Sequence, residues 1–257
     1  MADTKQFYDD LSSYYHLIFE DWDASMARQG NALVQIFNSE LGGASVSDVR
    51  VLDAACGIGT QTLPLAARGF QLTARDISAA AVARLQREAE IRKIVVDAAV
   101  SDMRQIASSV SGSFDVVLAF DNSLAHLLDD NDLSLAFQQF KSVLRPGGMF
   151  LCSIRDYDKV QRGLPATHLY GRREYGGETF QLRQEWSWED PMHYQGTIII
   201  EKETPNGFVR ALCTASRFYA VSTERLLELM HAAGFRACRR IDETIYQPIL
   251  AARRTAA

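Results

Sequence analysis

From Asp48 onward the apolar positions fall into two periods that take turns. VRVLDAA is a short apolar run, GIGTQTLPLAARG is a glycine turn running into a helix, and FQLTARD is a second apolar run. This is a β-α-β unit. The alternation continues through SAAAVARLQREAEIR (helix), IVVDAAVSD and FDVVLAF (strands), LSLAFQQFKSVL (helix) and GGMFLCSI (strand). Strands alternating with helices predict an α/β, doubly wound, largely parallel sheet covered on both faces, with right-handed crossovers. Within LRPGGMF, Pro146 stops the preceding helix, and Gly147 and Gly148 permit the turn into the next strand.

After Tyr157 the pattern changes to alternating aromatic, charged and β-branched residues, from ETFQLRQEWSWEDPMHYQGTIIIEKE to ASRFYAV, with PNG as a hairpin turn. An antiparallel insertion is expected there. The helix-strand pattern resumes at STERLLELMHAAGF, which opens on a serine cap and closes at Gly234, and ends with ACRRIDE and PILAARR as final strands. The predicted organisation is an aromatic, partly helical cover over 1–43, a nucleotide-binding domain over 44–156 and 218–257, and a β insertion over 157–217 that lids the substrate site.

Composition narrows the class. With 257 residues, 47% of them hydrophobic, the chain has enough apolar surface for a large core. The net charge of −5 and the lack of a basic tract speak against a nucleic-acid partner and for a small-molecule one. No apolar run reaches the roughly 20 residues of a membrane helix, and the polar start lacks a signal-peptide core, so a cytoplasmic protein without membrane partners is expected. Cys56, Cys152, Cys213 and Cys238 are scattered, without a CxxC pair, and read as reduced core thiols rather than metal ligands. The aromatic insertion is as compatible with pairing subunits in a homo-oligomer as with lidding a pocket.

A glycine turn between a parallel strand and a helix lets the backbone approach a ligand, at the strand ends where open α/β sheets bind. A dinucleotide site would carry a third glycine, but Thr62 stands there after Gly57 and Gly59. Asp53, Ala54 and Ala55 instead lead into Cys56 and Gly57, giving D-A-A-C-G-I-G-T. With a second strand ending at Asp76, VSDM around Asp102, FDVVLAFDNSLAHL and LRPGGMF, the chain resembles class I S-adenosylmethionine-dependent methyltransferases over nearly its whole length. The resemblance implies a seven-stranded Rossmann-like methyltransferase fold and S-adenosyl-L-methionine as cofactor, released as S-adenosyl-L-homocysteine. Asp76 would accept hydrogen bonds from the ribose hydroxyls and Asp102 one from the adenine amino group, with Ile77, Met103 and Phe120 beside them. Asp76 or Ser78 would otherwise serve as a helix cap.

The stretch AFDNSLAHL, Ala119 to Leu127, resembles the G-N-S-x-x-H-L segment of glycine and glycine/sarcosine N-methyltransferases, with Asp121 where that family commonly has glycine. SIRDYDKV resembles the segment in which those enzymes set an arginine on the substrate carboxylate, here Arg155, which would otherwise pair with Asp156 or Asp158. The N-terminal aromatic segment also resembles that family's bacterial members. It implies Arg28 on the methionine carboxylate of the cofactor, and Tyr8, Tyr14, Tyr15 and Trp22 near the pocket. Direct in-line transfer to nitrogen needs alignment and an unprotonated amine, and no metal. His126, Asp121 and Tyr194 are the candidate proton acceptors, although His126 is expected rather to hold its loop through a backbone hydrogen bond. Tyr15, Trp22, Asn122, Arg155 and Tyr157 are the expected substrate contacts. A heteroaromatic nitrogen is an alternative acceptor, stacked by Trp22, Tyr157, Trp186 and Trp188; a non-catalytic S-adenosylmethionine-binding sensor or partner protein is an alternative of another class.

Overall fold

The computed structural model describes residues 3–255. An N-terminal layer of α1 (Thr4–Leu11) and α2 (Trp22–Glu40) precedes the first strand. Asp3 and Asp21 cap these helices by accepting from Lys5 N and Ala24 N. The alternating segment then gives β1 (Arg50–Asp53), α3 (Thr62–Ala66), β2 (Gln71–Asp76), α4 (Ala79–Arg92), β3 (Asp97–Val100), β4 (Phe114–Ala119), α5 (Asp130–Val143) and β5 (Leu144–Ser153). Following an inserted sheet, α6 (Thr223–Ala232), β10 (Phe235–Ile241) and β11 (Ile249–Arg254) complete the fold.

The main sheet has seven strands in the order β10-β11-β5-β4-β1-β2-β3. The pairs among β1 to β5 are parallel, whereas β11 runs antiparallel to both β5 and β10. The sequence-predicted sheet is thus present, including its two C-terminal strands. Strands buried on both faces explain the continuous apolar runs: Val51, Leu52, Val116, Val117, Leu118, Phe150 and Leu151 are fully buried. The strand order reverses between β1 and β4, which opens the ligand crevice of such sheets beyond the carboxyl ends of these two strands.

The insertion is a separate four-stranded antiparallel sheet of β6 (Ala166–Tyr175), β7 (Glu178–Trp188), β8 (His193–Thr204) and β9 (Gly207–Tyr219). Its first strand gave no clear sequence signal, because ATHLYGRREY is an edge strand whose positions are mostly exposed. One face of this sheet packs Phe180, Leu182, Ile198 and Ile200 against Phe7 and Leu11 of α1. Helix α1 is therefore fixed to the insertion and, through Asp9, to the main domain. The Asp9 carboxylate accepts from Ser78 Oγ (2.6 Å) and Ala80 N (3.1 Å) at the start of α4. Cys56 and Cys152 are buried as expected, but Cys213 is exposed on β9 and is no core thiol. Among the described residues no helix is long and apolar enough to cross a membrane.

Candidate active site

Two joined chambers lie beyond the ends of β1, β2 and β4, and Tyr8, Tyr15 and Asp121 line both. The first, of about 290 Å³, is walled by the glycine turn and the ends of β2 and β3. The second, of about 420 Å³, lies between the loop after β4, the N-terminal layer and the insertion.

In the first chamber Asp76 sits at the tip of β2. Its Oδ2 accepts from Gly57 N (2.8 Å) and its Oδ1 from Ser78 N (2.9 Å), which leaves lone pairs free to accept from a ligand. Burial pushes its carboxyl above the ordinary range. Ser78, not Asp76, caps α4, accepting from Ala81 N at 3.0 Å. Ile77, Asp102, Met103, Phe120, Ala54, Ala55 and Gly57 line the same chamber. Asp102 is held by Arg104, which donates from its backbone (2.8 Å) and its guanidinium (2.6 Å); partial burial opposes its ionisation, but these bonds keep the carboxyl below its usual range. An acceptor pair at one strand end, with a second carboxylate and apolar side chains at the next, fits the hydroxyls and planar base of a nucleoside.

Two residues expected to touch the cofactor, Asp53 and Gly59, line neither chamber. Asp53 is wholly buried and lines neither chamber; it accepts from Thr62 Oγ1 (2.7 Å) and Ala55 N (3.4 Å), and burial pushes its carboxyl up to about 7. Thr62, in place of the third glycine, thereby ties α3 to the end of β1. Gly59 also stays out of the chambers: a Cβ there would stand 2.5 Å from Leu85 Cδ1 and 2.8 Å from Leu63 Cγ, so its role is packing against α4. Arg28 lines the second chamber rather than the first.

The loop after β4 shapes the junction. Asp121 and Asn122 both adopt left-handed backbone, φ +55° and +66°, a conformation that favours glycine and is tolerated by Asp and Asn. Asp121 Oδ1 accepts from Tyr246 Oη (2.6 Å) and Oδ2 from Gln61 Nε2 (3.1 Å), while Gln61 also donates to Gln29 (2.7 Å). Burial raises the Asp121 carboxyl as well. Asn122 Oδ1 accepts from Arg155 N (3.0 Å) and its Nδ2 donates to Tyr157 Oη (2.9 Å), which joins Tyr194 Oη at 3.0 Å.

Arg155 lines the second chamber, its guanidinium over the Trp186 ring at 4.7 Å and its buried Nε without a hydrogen-bond partner. Among the described residues it forms no ion pair. Asp156, its expected alternative partner, is taken by Arg240 (2.6 Å) and Lys159 (3.1 Å). Trp186 supplies a cation-π support and no negative charge.

Other expectations require correction. Tyr157 and Tyr194 are fully buried and line neither chamber; Tyr194 is stacked between Trp186 and Phe218, and burial raises its hydroxyl far above the range of a proton acceptor. They brace the loop through Asn122. Trp22 donates to Thr60 Oγ1 (3.0 Å) and packs α2 against the glycine turn, away from both chambers. With Trp22, Tyr157, Trp186 and Trp188 all outside the chamber lining, the stacking surfaces expected for a heteroaromatic acceptor are missing from it. The His126 ring bonds to side chains, Tyr8 Oη at 2.8 Å and Ser216 Oγ at 3.2 Å, and burial lowers it to about 4, so it is neutral with both nitrogens engaged. Asp9, Gln29, Gln184 and Tyr246 carried no sequence motif, because each enters the site by a long-range contact, whereas Gln61 lies within the glycine turn and was not singled out.

Residues 51–148 match a family described as methyltransferase domain. The glycine/sarcosine N-methyltransferase of Parasynechococcus marenigrum (strain WH8102) is 28% identical over 165 residues, 64% of this chain and 56% of that protein. The enzyme of the same name from Aphanothece halophytica is 27% identical over 216 residues, 84% and 74% of the two chains. The chain thus spans just over half the length of the first of these relatives. In fold it is similar to CalS10, an amino pentose methyltransferase of Micromonospora echinaspora, with a TM-score of 0.76 at 17% identity over 95% of each chain. The sheet order, the glycine turn with its strand-end carboxylates and the domain match agree: residues 51–148 form a methyltransferase domain, and the chain resembles the class I S-adenosylmethionine-dependent methyltransferases, the glycine/sarcosine N-methyltransferases among them.

Proposed function

We propose that this protein methylates the nitrogen of a small amine that carries a carboxylate, glycine and sarcosine being the smallest members of that class. The observation that carries the proposal is Arg155, a guanidinium facing the second chamber without an acidic partner. A charge left unpaired at the edge of a cavity is costly unless the ligand supplies its counter-ion, and the planar fork matches a carboxylate through two parallel hydrogen bonds.

Gly57, Asp76 and Asp102 would hold S-adenosylmethionine, which would supply an electrophilic methyl group. The protein's own residues must align the amine, exclude water and accept its proton. Asp121 is suited to the last task. It lies at the junction of the chambers, and burial raises its carboxyl above the ordinary carboxylate range, which favours uptake of a proton. Its left-handed backbone, φ +55°, is strained for a residue with a side chain and supports a functional reason for a side chain there. Tyr8 and Tyr15, half-buried beside it, close the junction against water. His126 holds this wall in place.

The test is Arg155→Ala with S-adenosylhomocysteine release as readout. Loss of a charge-assisted pair, about 1.5–3 kcal/mol, predicts a roughly ten- to hundredfold rise in KM for a carboxylated acceptor with unchanged S-adenosylhomocysteine affinity. A normal KM, or a preferred acceptor without a carboxylate, refutes the proposal.

A further inference from the structure

The loop between β10 and β11 reaches back to the centre of the site through two neighbouring residues. Tyr246 Oη donates to Asp121 Oδ1 at 2.6 Å. Gln247, which is buried, accepts from Ser153 Oγ at 3.0 Å, and Ser153 Oγ in turn accepts from the Asp121 backbone N–H at 2.8 Å. Pro248 O accepts from Ile154 N (3.3 Å), which pins the loop to the end of β5. One loop thus grips Asp121 at its side chain and, through Ser153, at its backbone.

Tyr246 contributes little by packing. It lines the second chamber, yet the residue is 64% exposed, so its hydroxyl is what it brings to the site. The other carboxylate oxygen, Oδ2, accepts from Gln61 Nε2 (3.1 Å). Donors on two separate elements, one to each oxygen, stop the carboxylate rotating about its own bond and leave lone pairs on both oxygens for a proton. A reaction governed by alignment needs its proton acceptor held in this way by supporting residues. Burial raises the Asp121 carboxyl, and the bond from Tyr246, which favours the ionised form, opposes that rise.

We propose that Tyr246 is a positioning residue for methyl transfer, aiming the Asp121 carboxylate at the acceptor amine from outside the loop that carries it. This rests on the reading of Asp121 as the proton acceptor. Among the described residues, the ionisable groups that face Asp121 from other elements are Tyr8 of α1, Tyr15 after it, Asp53 and Asp76 at the ends of β1 and β2, Arg28 of α2 and Arg155 after β5. The same groups surround Asp121 in wild type and in Tyr246→Phe, so a difference between the two proteins reports the hydroxyl.

The experiment compares wild type, Tyr246→Phe and Asp121→Asn, each as the whole chain, by infrared difference spectroscopy from pH 5 to 9. It adds S-adenosylhomocysteine release with glycine and sarcosine over the same range. The protonated-carboxyl band absent from Asp121→Asn identifies Asp121. In Tyr246→Phe this band is expected to persist to higher pH than in wild type, with an unchanged Tm. The ratio of kcat at pH 6 to kcat at pH 9 should fall at least fivefold below wild type, with KM within about threefold. A band that titrates at the same pH in both proteins overturns the proposal; if Asp121→Asn is slow all the same, Asp121 keeps its role and Tyr246 alone loses it. A shifted band with an unchanged kcat ratio, or a normal kcat in Asp121→Asn, overturns the proposal together with Asp121 as proton acceptor. If neither amine is methylated, the band alone decides whether Tyr246 holds Asp121.

Discussion

The two glycines of the turn have opposite duties, and alanine at each should fail in a different way. Gly57 has φ +49°, within the left-handed region, and a Cβ there would meet only Tyr15 Cε1, at 3.4 Å. Alanine in that conformation costs ~1–2 kcal/mol, partly offset by ~0.4–1 kcal/mol from a less flexible unfolded chain. The net loss is about 1 kcal/mol, or roughly 2–4 °C in Tm for a chain of this size. The added methyl, however, projects where the chamber is open and the cofactor must approach. Gly59 has φ +104°, outside that region, and its Cβ would stand 2.5, 2.8 and 2.9 Å from atoms of the buried Leu85 and Leu63. Backbone strain of ~1–3 kcal/mol and overpacking of ~1–3 kcal/mol combine to roughly 2–6 kcal/mol, or about 5–20 °C. Thermal unfolding and calorimetric titration with S-adenosylhomocysteine separate the two effects. Gly57→Ala should lose affinity at least tenfold with a small change in Tm. Gly59→Ala should lose stability first, while its folded fraction binds normally. Equal losses of Tm, or full affinity in Gly57→Ala, would refute the division of labour.

Three further outcomes are expected. Asp121→Asn should lower kcat at least tenfold near neutral pH while S-adenosylhomocysteine affinity stays within about threefold, since the amide keeps the loop but cannot take up a proton; an unchanged kcat removes Asp121 from the mechanism. Asp53 and His126 should pull the pH dependence of stability in opposite directions, checked by urea midpoints from pH 4 to 8. The Asp53 carboxyl, raised from 3.8 to about 7, contributes stability at low pH that is lost as pH rises through 7, so Asp53→Asn gains on wild type across that rise. The His126 ring, lowered from 6.5 to about 4, withdraws roughly 3 kcal/mol at most as pH falls through this window, and His126→Asn gains on wild type in the acid range instead; parallel pH curves for the two variants contradict both assignments. Trp22→Phe should cost about 1–2 kcal/mol through the lost bond to Thr60 and leave the acceptor KM unchanged; a changed KM would return Trp22 to the substrate site.

What the sequence conveyed best was whatever is written in local periodicity. The strands and helices from Asp48 to Ser153, the serine cap of α6 at Ser222 and the hairpin at Gly207 follow from runs, caps and turn residues within a few positions of one another. The strand-end acids were legible for the same reason, because the end of a strand is a local event. Which of them face a ligand was not. Asp53 and Asp76 look alike in sequence, yet Thr62 turns the first inward and the backbone of Gly57 holds the second at the chamber wall. The aromatics were the weakest ground: Trp22, Tyr157 and Tyr194 are as apt for a core as for a pocket, and only the packing of distant elements decides. Asp121 was the reverse case, since the resemblance implied glycine at that position and the positive φ supplies the physical meaning.

Helix α1 forms a wall of both chambers through Thr4, Phe7, Tyr8 and Leu11. It is bolted to the insertion by Asp10 to Thr214 (3.1 Å) and Thr4 to Ser216 (3.2 Å), and to the nucleotide domain by Asp9 at the start of α4. Any outward swing of this helix would strip α4 of a capping carboxylate two residues beyond Asp76, so a door opened for the methylated product would also loosen the proposed ribose contact of the spent cofactor. The two products would then leave on one clock, set by eight residues of helix rather than by the speed of the chemistry, and turnover would follow the strength of a few part-buried hydrogen bonds.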